Sequence, residues 1–522
     1  MPASACRLLL VATVLVSCLC GQLRHVWAEP LAMRQVRLQT AWTEYLLSGA
    51  SDQPQYQPQP AIEQEIRQLA AGQQRRDLRT VHYFDQIIDH TSQRKSTFRQ
   101  RTYINSDHYS PGGPIYLFNS GETPASPSYL TAGEPYTLAK ATNGMLVILE
   151  HRYYGSSYPV SDMSGSSMKY LTVDNSLEDV AYFIRNARPF VRDAIGVDIP
   201  PSSKWVAVGG SYSATLSVWA RKRYPELIHA AYASSAPILV ESDFYQYDQV
   251  VARALPCAQQ ISDAVVVLDE ILERGDRNLI DLWKHSFGLQ DLKDDADFAG
   301  ALTDQLSSTV QYYMPPAKGS DGPDPIEKLC GWFDNTRNIP LQNMADMTFD
   351  YIHSNNISVV AAYSSESGAT NTKLHQDGRA WFYQTCTQFG FWQSAPQPPL
   401  RRLRSKYVTA KWQSKPCRAF FGNGVDGEPN TNKLNEEFGG LLPNVTRVVY
   451  VNGLHDPWSA LSVAVNPEIA KKTSESGKNV VITMPLASHV ADFYFASSRS
   501  DFGVDIARKG ILDAMKLFLE QN

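Results

Sequence analysis

Residues 206–220, VAVGGSYSATLSVWA, constrain this chain more than any other stretch. An apolar run, Trp205 to Val208, breaks at Gly209-Gly210, and Leu216, Val218, Trp219 and Ala220 then follow at helical spacing. A strand, a turn too tight for side chains and a helix in immediate succession predict one α/β unit with Ser211 at its corner. A serine exposed at such a corner suits nucleophilic chemistry. The glycine usual two positions later is absent, because Ser213 stands there, and small residues also occur at such corners for packing alone. The spacing by itself leaves both readings of Ser211 open.

Apolar runs recur on either side: Ile115 to Phe118, Met145 to Leu149, Ala230 to Ala233, Arg447 to Val451 and Val480 to Met484. Their alternation with helical stretches predicts a parallel sheet. The alternation lapses from about 240 to 424, where helix-like segments with Pro, Gly and acidic loops take over. Ile506 to Leu519 reads as a closing helix with Ile511, Leu512, Met515, Phe518 and Leu519 on one face. One α/β domain in two parts, 80–240 and 425–522, interrupted by a mostly helical insertion over 241–424, accounts for this order. No internal repeat is present.

At the N-terminus Arg7 precedes Leu8 to Cys20, an apolar run broken only by Thr13 and Ser17. That is short for a membrane span and suits a secretory signal over 1–28, cleaved between 20 and 28. Residues 29–79 include SDQPQYQPQPAIEQ (51–64) and read as a propeptide-like or linker segment. Of the seven cysteines, Cys6, Cys18 and Cys20 leave with the signal. Cys257, Cys330, Cys386 and Cys417 remain, an even set that predicts two disulfides in an oxidising compartment. Asn356-Ile-Ser358 and Asn444-Val-Thr446 are glycosylation acceptors in that setting. No later segment is long and apolar enough to span a membrane, and the cysteine spacing holds no metal signature. A formal charge of -5 with scattered basic residues gives no footprint for nucleic acid.

A nucleophilic serine needs a base, and the base needs an orienter. The run Arg447 to Val451 leads into Asn452-Gly453-Leu454-His455-Asp456-Pro457-Trp458, and Val480 to Met484 leads into Pro485-Leu486-Ala487-Ser488-His489. Ser211, Asp456 and His489 therefore follow in the order Ser, acid, His, each beyond a strand end. His455 competes with His489, but neighbouring side chains on an extended loop point apart, so Asp456 cannot easily orient it. Trp458, two residues from Asp456, projects to the same side and is expected to wall the pocket for the residue before the scissile bond. Oxyanion donors are expected from the N–H of Tyr212 and from the turn after Asn119, near Gly121. Gly422-x-Gly424-x-x-Gly427 matches a dinucleotide fingerprint only as a string, since it follows no clear strand and opens no helix, Glu428-Pro429-Asn430 coming next. Arg274-Gly275-Asp276 is too short a match to carry meaning. No cofactor is expected.

Taken together, "GGSYSA" (209–214), "FDQIIDH" (84–90), "EHRYYGSSYP" (150–159), "WFYQTCTQFGFWQ" (381–393), "NGLHDPWSAL" (452–461) and "SHVADFY" (488–494) resemble the serine peptidase family of prolyl carboxypeptidase, dipeptidyl peptidase II and thymus-specific serine protease. The likeness covers roughly residues 80 to 520 and looks nearest to the thymus-specific branch. It implies an α/β-hydrolase fold with a helical cap inserted before the Asp-bearing strand. It further implies peptide substrates cleaved after proline or a small residue, a secreted or lysosomal location, and a homodimer as a candidate assembly. The pairings it suggests are Cys257–Cys330 and Cys386–Cys417. Three positions depart from the family pattern: Ala214 for Gly, Gln388 where Glu is frequent, and Val490 where Cys or His commonly follows the histidine.

The expected activity is an exopeptidase acting through an acyl-enzyme. A secreted homologue that binds peptides and has lost turnover is the competing reading, and the intact trio favours the enzyme. A lipase or esterase on the same fold lacks its HGGG-type oxyanion loop here.

Overall fold

The computed structural model describes residues 80–313, 315, 322–365, 367–464, 466–475, 477–494 and 502–521. The signal, the linker and Cys6, Cys18 and Cys20 lie outside the described residues. Eight strands form one sheet: β1 (His82–Ile87), β2 (Thr97–Asn105), β3 (Ile115–Asn119), β4 (Met145–Leu149), β5 (Trp205–Gly210), β6 (Ile228–Ser234), β7 (Val448–Gly453) and β8 (Val480–Met484). Their order is β1-β2-β4-β3-β5-β6-β7-β8. β2 runs antiparallel to both its neighbours, and the remaining pairs are parallel.

The apolar runs are uninterrupted because both sheet faces are covered. Successive side chains of one strand enter different layers. Ile115 and Leu117 join Val147, Ala207, Leu177, Phe183 and Trp219 in one buried cluster. Tyr116 and Phe118 join Ile148, Val208, Leu138, Ile511, Met515 and Phe518 in the other. The covering helices are α1 (Glu134–Ala141), α2 (Val173–Ile195), α3 (Tyr212–Arg223) and the closing helix, described below. Thr172 caps α2 by accepting from Asn175 N–H at 3.2 Å, and Gly196 ends it at φ 67°.

Between β6 and β7 the described residues add no strand to this sheet. They fold into helices, among them α4 (Asp304–Gln311) and α5 (Asp377–Gln384). Val251, Leu268 and Met344 from this segment belong to the same cluster as Ile115 and Leu177, so its apolar side chains pack continuously with the sheet. Cys257–Cys330 and Cys386–Cys417 are bonded, closing separations of 73 and 31 residues. Loops of that size correspond to about 3–5 kcal/mol each in the chain-entropy account. The closing helix is α6 (Phe502–Glu520), longer at both ends than its apolar stripe implies. Gly422, Gly424 and Gly427 lie in a loop with positive φ, and Gly275-Asp276 joins two helices as C-cap and N-cap. The arrangement is an α/β-hydrolase fold, and the carboxyl ends of β3 to β8 present their loops along one edge.

Candidate active site

Ser211 occupies the corner between β5 and α3 at φ 60° and ψ -132°, a conformation that costs a non-glycine residue free energy. The surroundings hold it there. Its N–H donates to Ser234 O at 2.9 Å, and its carbonyl accepts from Ala214 and Thr215 N–H at 3.0 and 3.2 Å. Of the two glycines before it, Gly209 is a steric necessity and Gly210 is tightly placed. A Cβ on Gly209 would fall inside contact distance of the Ser213 backbone, and one on Gly210 would sit 3.1 Å from Val490 Cγ1. The missing glycine after the nucleophile position has a counterpart across the turn. Ser213 approaches Gly121, where a Cβ would lie 2.9 Å from its own, and Ser213 Oγ donates to Asn119 O. Gly121 itself is at φ 68°.

Gly209→Ala is therefore expected to destabilise the fold by about 3 kcal/mol, the upper end of overpacking costs, because the obstructing atoms are backbone. A denaturant midpoint unchanged from wild type would remove this account of the corner.

Asp456 lies beyond β7 and His489 beyond β8, and both are buried. His489 Nδ1–H donates to Asp456 Oδ1 at 2.8 Å. That bond leaves Nε2 as acceptor, and Ser211 Oγ lies 2.9 Å from it. Asp456 Oδ1 also accepts from Trp458 N–H at 2.9 Å, and Oδ2 from Asn452 Nδ2 at 3.4 Å. His455 is not part of the group. Its N–H donates to Ala487 O at 3.1 Å, and burial, with Arg253 adding to it, lowers its pKa.

The His489 loop is fastened from two sides. Toward the sheet, Val490 N–H donates to Ser235 Oγ at 2.9 Å, and Asp492 accepts from Ser234 Oγ at 2.7 Å and Tyr232 OH at 2.6 Å. Toward the insertion, the last carbonyls of α4 need donors from outside the helix. Gln311 O accepts from Ser488 Oγ at 2.9 Å and from His489 N–H at 3.2 Å. The Gln311 side chain accepts from Tyr247 OH at 2.6 Å and Trp458 Nε1 at 3.1 Å. One residue of the insertion thus holds both the acid loop and the histidine loop. Sequence reasoning missed it, because nothing local distinguishes a glutamine at a helix end.

Trp458 is 6% exposed, anchored by Gln311, with its ring 6.4 Å from the His489 ring. It opens an aromatic belt rather than standing alone. Phe244 and Phe391 each lie 5.3 Å from Trp458, Phe389 stacks on Phe391 at 5.5 Å, and Tyr212 lies 5.3 Å from Phe389 and 5.5 Å from Trp381. Phe389, Phe391 and Trp381 come from the WFYQTCTQFGFWQ block.

The other expected positions take varied places. Tyr212 begins α3, where its N–H has no carbonyl one turn back to meet. Gly121 N–H is turned onto Asn119 Oδ1 at 3.0 Å, so its donor is committed inside the turn. Ala214 is buried in the first turns of α3. Gln388 Oε1 accepts from Val173 N–H at 3.2 Å and so tethers the start of α2. Val490 adopts φ 51° and packs on Gly210. Asn356 and Asn444 are exposed.

The profile of a family described as serine carboxypeptidase S28 matches residues 86–511. A putative serine protease of Caenorhabditis elegans is 31% identical over 469 residues, covering 84% of this chain and 88% of its own. Thymus-specific serine protease of Mus musculus is 31% identical over 425 residues, covering 76% and 79%. The Homo sapiens protein of that name is 29% identical over 479 residues, covering 87% and 89%.

Proposed function

The chain belongs to the serine carboxypeptidase S28 family and is a serine-type peptidase, and from that premise we propose that it cleaves peptides through Ser211, His489 and Asp456. The observation that carries this is the pair of hydrogen bonds, 2.9 Å from His489 Nε2 to Ser211 Oγ and 2.8 Å from His489 Nδ1 to Asp456 Oδ1. Nε2 takes the hydroxyl proton as Oγ attacks the scissile carbonyl, and Asp456 stabilises the resulting imidazolium. The proton then passes to the departing amine, and water repeats the sequence on the acyl-enzyme. Tyr212 N–H donates to the oxyanion, while the Gly121 N–H stays with Asn119 Oδ1. The enzyme acts as an exopeptidase in the secretory pathway, outside the cell or in the lysosome. A fluorophosphonate probe tests the reading: it should label Ser211, and an unlabelled folded protein would overturn it.

The aromatic belt supports a compact apolar residue before the scissile bond, and proline fits because its ring has no rotamers to lose. Trp458→Ala should lower kcat/KM for a Pro-P1 peptide by about 1–3 kcal/mol and for an Ala-P1 peptide by less. The bond to Asp456 itself survives this truncation, since it comes from the Trp458 backbone N–H, while the indole's tether to Gln311 is lost equally for both peptides, so the comparison between them isolates the preference. Equal losses on both peptides would show that Trp458 does not set the preference.

A further inference from the structure

The EHRYYG and WFYQTC blocks supply no member of the proton path at Ser211, yet both reach the residue beside it. Tyr212 is 2% exposed, and its hydroxyl lies 3.2 Å from His151 Nε2 and 2.9 Å from Gln384 Nε2. Donor directions follow from chemistry. His151 Nδ1 is 2.7 Å from Arg152 O, which can only accept, so Nδ1 carries the proton. Nε2 of the neutral ring must then accept, and Tyr212 OH donates to it. The Tyr212 oxygen accepts in turn from Gln384 Nε2, and Gln384 Oε1 accepts from Tyr154 OH at 2.6 Å. Burial pushes the His151 pKa down to about 4, so the ring stays neutral through mildly acidic pH and the directions hold. His151, Tyr154 and Gln384 are at most 1% exposed.

This chain of bonds joins three segments: the loop after β4, the corner of Ser211, and the end of α5. Its place matters because the peptide plane between Ser211 and Tyr212 carries the Tyr212 N–H. Ser211 is held at φ 60° and ψ -132°, and relaxation of that strain would rotate the plane. An oxyanion donor is useful only when it is already aimed. A ring tethered at its far end resists the rotation.

We propose that His151 and Gln384 are positioning residues that, through the Tyr212 hydroxyl, hold the Tyr212 N–H in place for the oxyanion. This rests on Ser211 being the nucleophile. Tyr212→Phe and Gln384→Met break the chain at different bonds while keeping the backbone N–H and most of the side-chain volume. Each full-length variant would be titrated with a fluorophosphonate, so that rates refer to active sites alone. On a proline-containing peptide, kcat per titrated site should fall about 10–100-fold, short of the roughly 10²–10³-fold cost of deleting an oxyanion donor. KM should stay within about twofold if the loss is confined to the transition state. A peptide aldehyde, whose adduct places an oxygen in the oxyanion position, should bind weaker by the same factor as kcat. The cleaved product peptide should bind as in wild type.

Either variant decides the matter if the other does not fold. Unchanged kcat per titrated site and unchanged aldehyde affinity, with only a lower melting temperature or titratable fraction, would overturn the proposal and leave a structural network. A wild-type protein that the probe does not titrate would instead sink the nucleophile reading beneath it.

Discussion

Ser211→Ala is expected to lower kcat/KM by about 10⁴-fold or more, with the fold retained. The substitution removes one atom, Oγ, whose partner is His489 Nε2. The bonds that hold Ser211 itself in the corner are main chain: Ser211 N–H to Ser234 O, and Ala214 and Thr215 N–H to Ser211 O. Alanine keeps every one of them. Turnover without the nucleophile falls to what binding and the oxyanion donor give to direct water attack. Peptide hydrolysis followed beside the melting temperature checks this. Near-normal turnover with an unchanged melting temperature would assign the chemistry elsewhere, and loss of turnover together with the fold would leave Ser211 a structural corner.

The central strands were legible because burial on both faces forces unbroken apolar runs, and Met145–Leu149, buried throughout, matches its run end to end. Val480–Met484 also matches its run, although this edge strand is only partly buried and exposes Thr483. β1 and β2 were not legible. Gln86 and Gln100 occupy buried positions there, bonded to each other at 2.9 Å, with Gln100 also donating to Glu150 O at 2.7 Å. A buried polar pair satisfied across strands looks like solvated surface in a linear reading. The absent glycine at position 213 has a similar origin. The close approach it usually permits is provided by Gly121, ninety-odd residues earlier in another loop, as the 94-residue span of the Ser213–Asn119 bond indicates.

The trio was legible as an order of residues beyond strand ends, since chain order on this fold fixes which loops meet. Its supports were not. Gln311 and Phe391 are brought to the corner by the packed insertion, and His151 by the neighbouring loop after β4. Trp458 shows the boundary between the two kinds of knowledge. The two-residue spacing from Asp456 suggested a shared side of an extended loop, whereas Pro457–Leu461 is a short helical turn capped by Asp456, and Gln311 with its aromatic neighbours holds the indole near His489.

Asp456→Asn is expected to lower kcat by about 10³–10⁴-fold in a folded protein. The wild-type carboxylate is fully buried and accepts at both oxygens: His489 Nδ1 and Trp458 N–H meet Oδ1, and Asn452 Nδ2 meets Oδ2. Turning Asn452 to suit a new partner would break the bond its Oδ1 accepts from Ser462 Oγ at 2.5 Å. An asparagine with its oxygen toward His489 keeps the tautomer but sets its NH₂ against Asn452 Nδ2, and it carries no charge to stabilise the imidazolium. Turned over, it presents NH₂ to Trp458 N–H and forces the proton of His489 onto Nε2, where the ring can no longer accept from Ser211. The first orientation loses the charge, and the second loses both the charge and the tautomer. In a buried site the lost charge alone is worth several kcal/mol, and 10³–10⁴ corresponds to roughly 4–5.5 kcal/mol. Fluorophosphonate labelling of Ser211 should slow alongside kcat, since both need the hydroxyl proton removed. A loss below tenfold in both measurements would mean that Asp456 is not the group that orients His489.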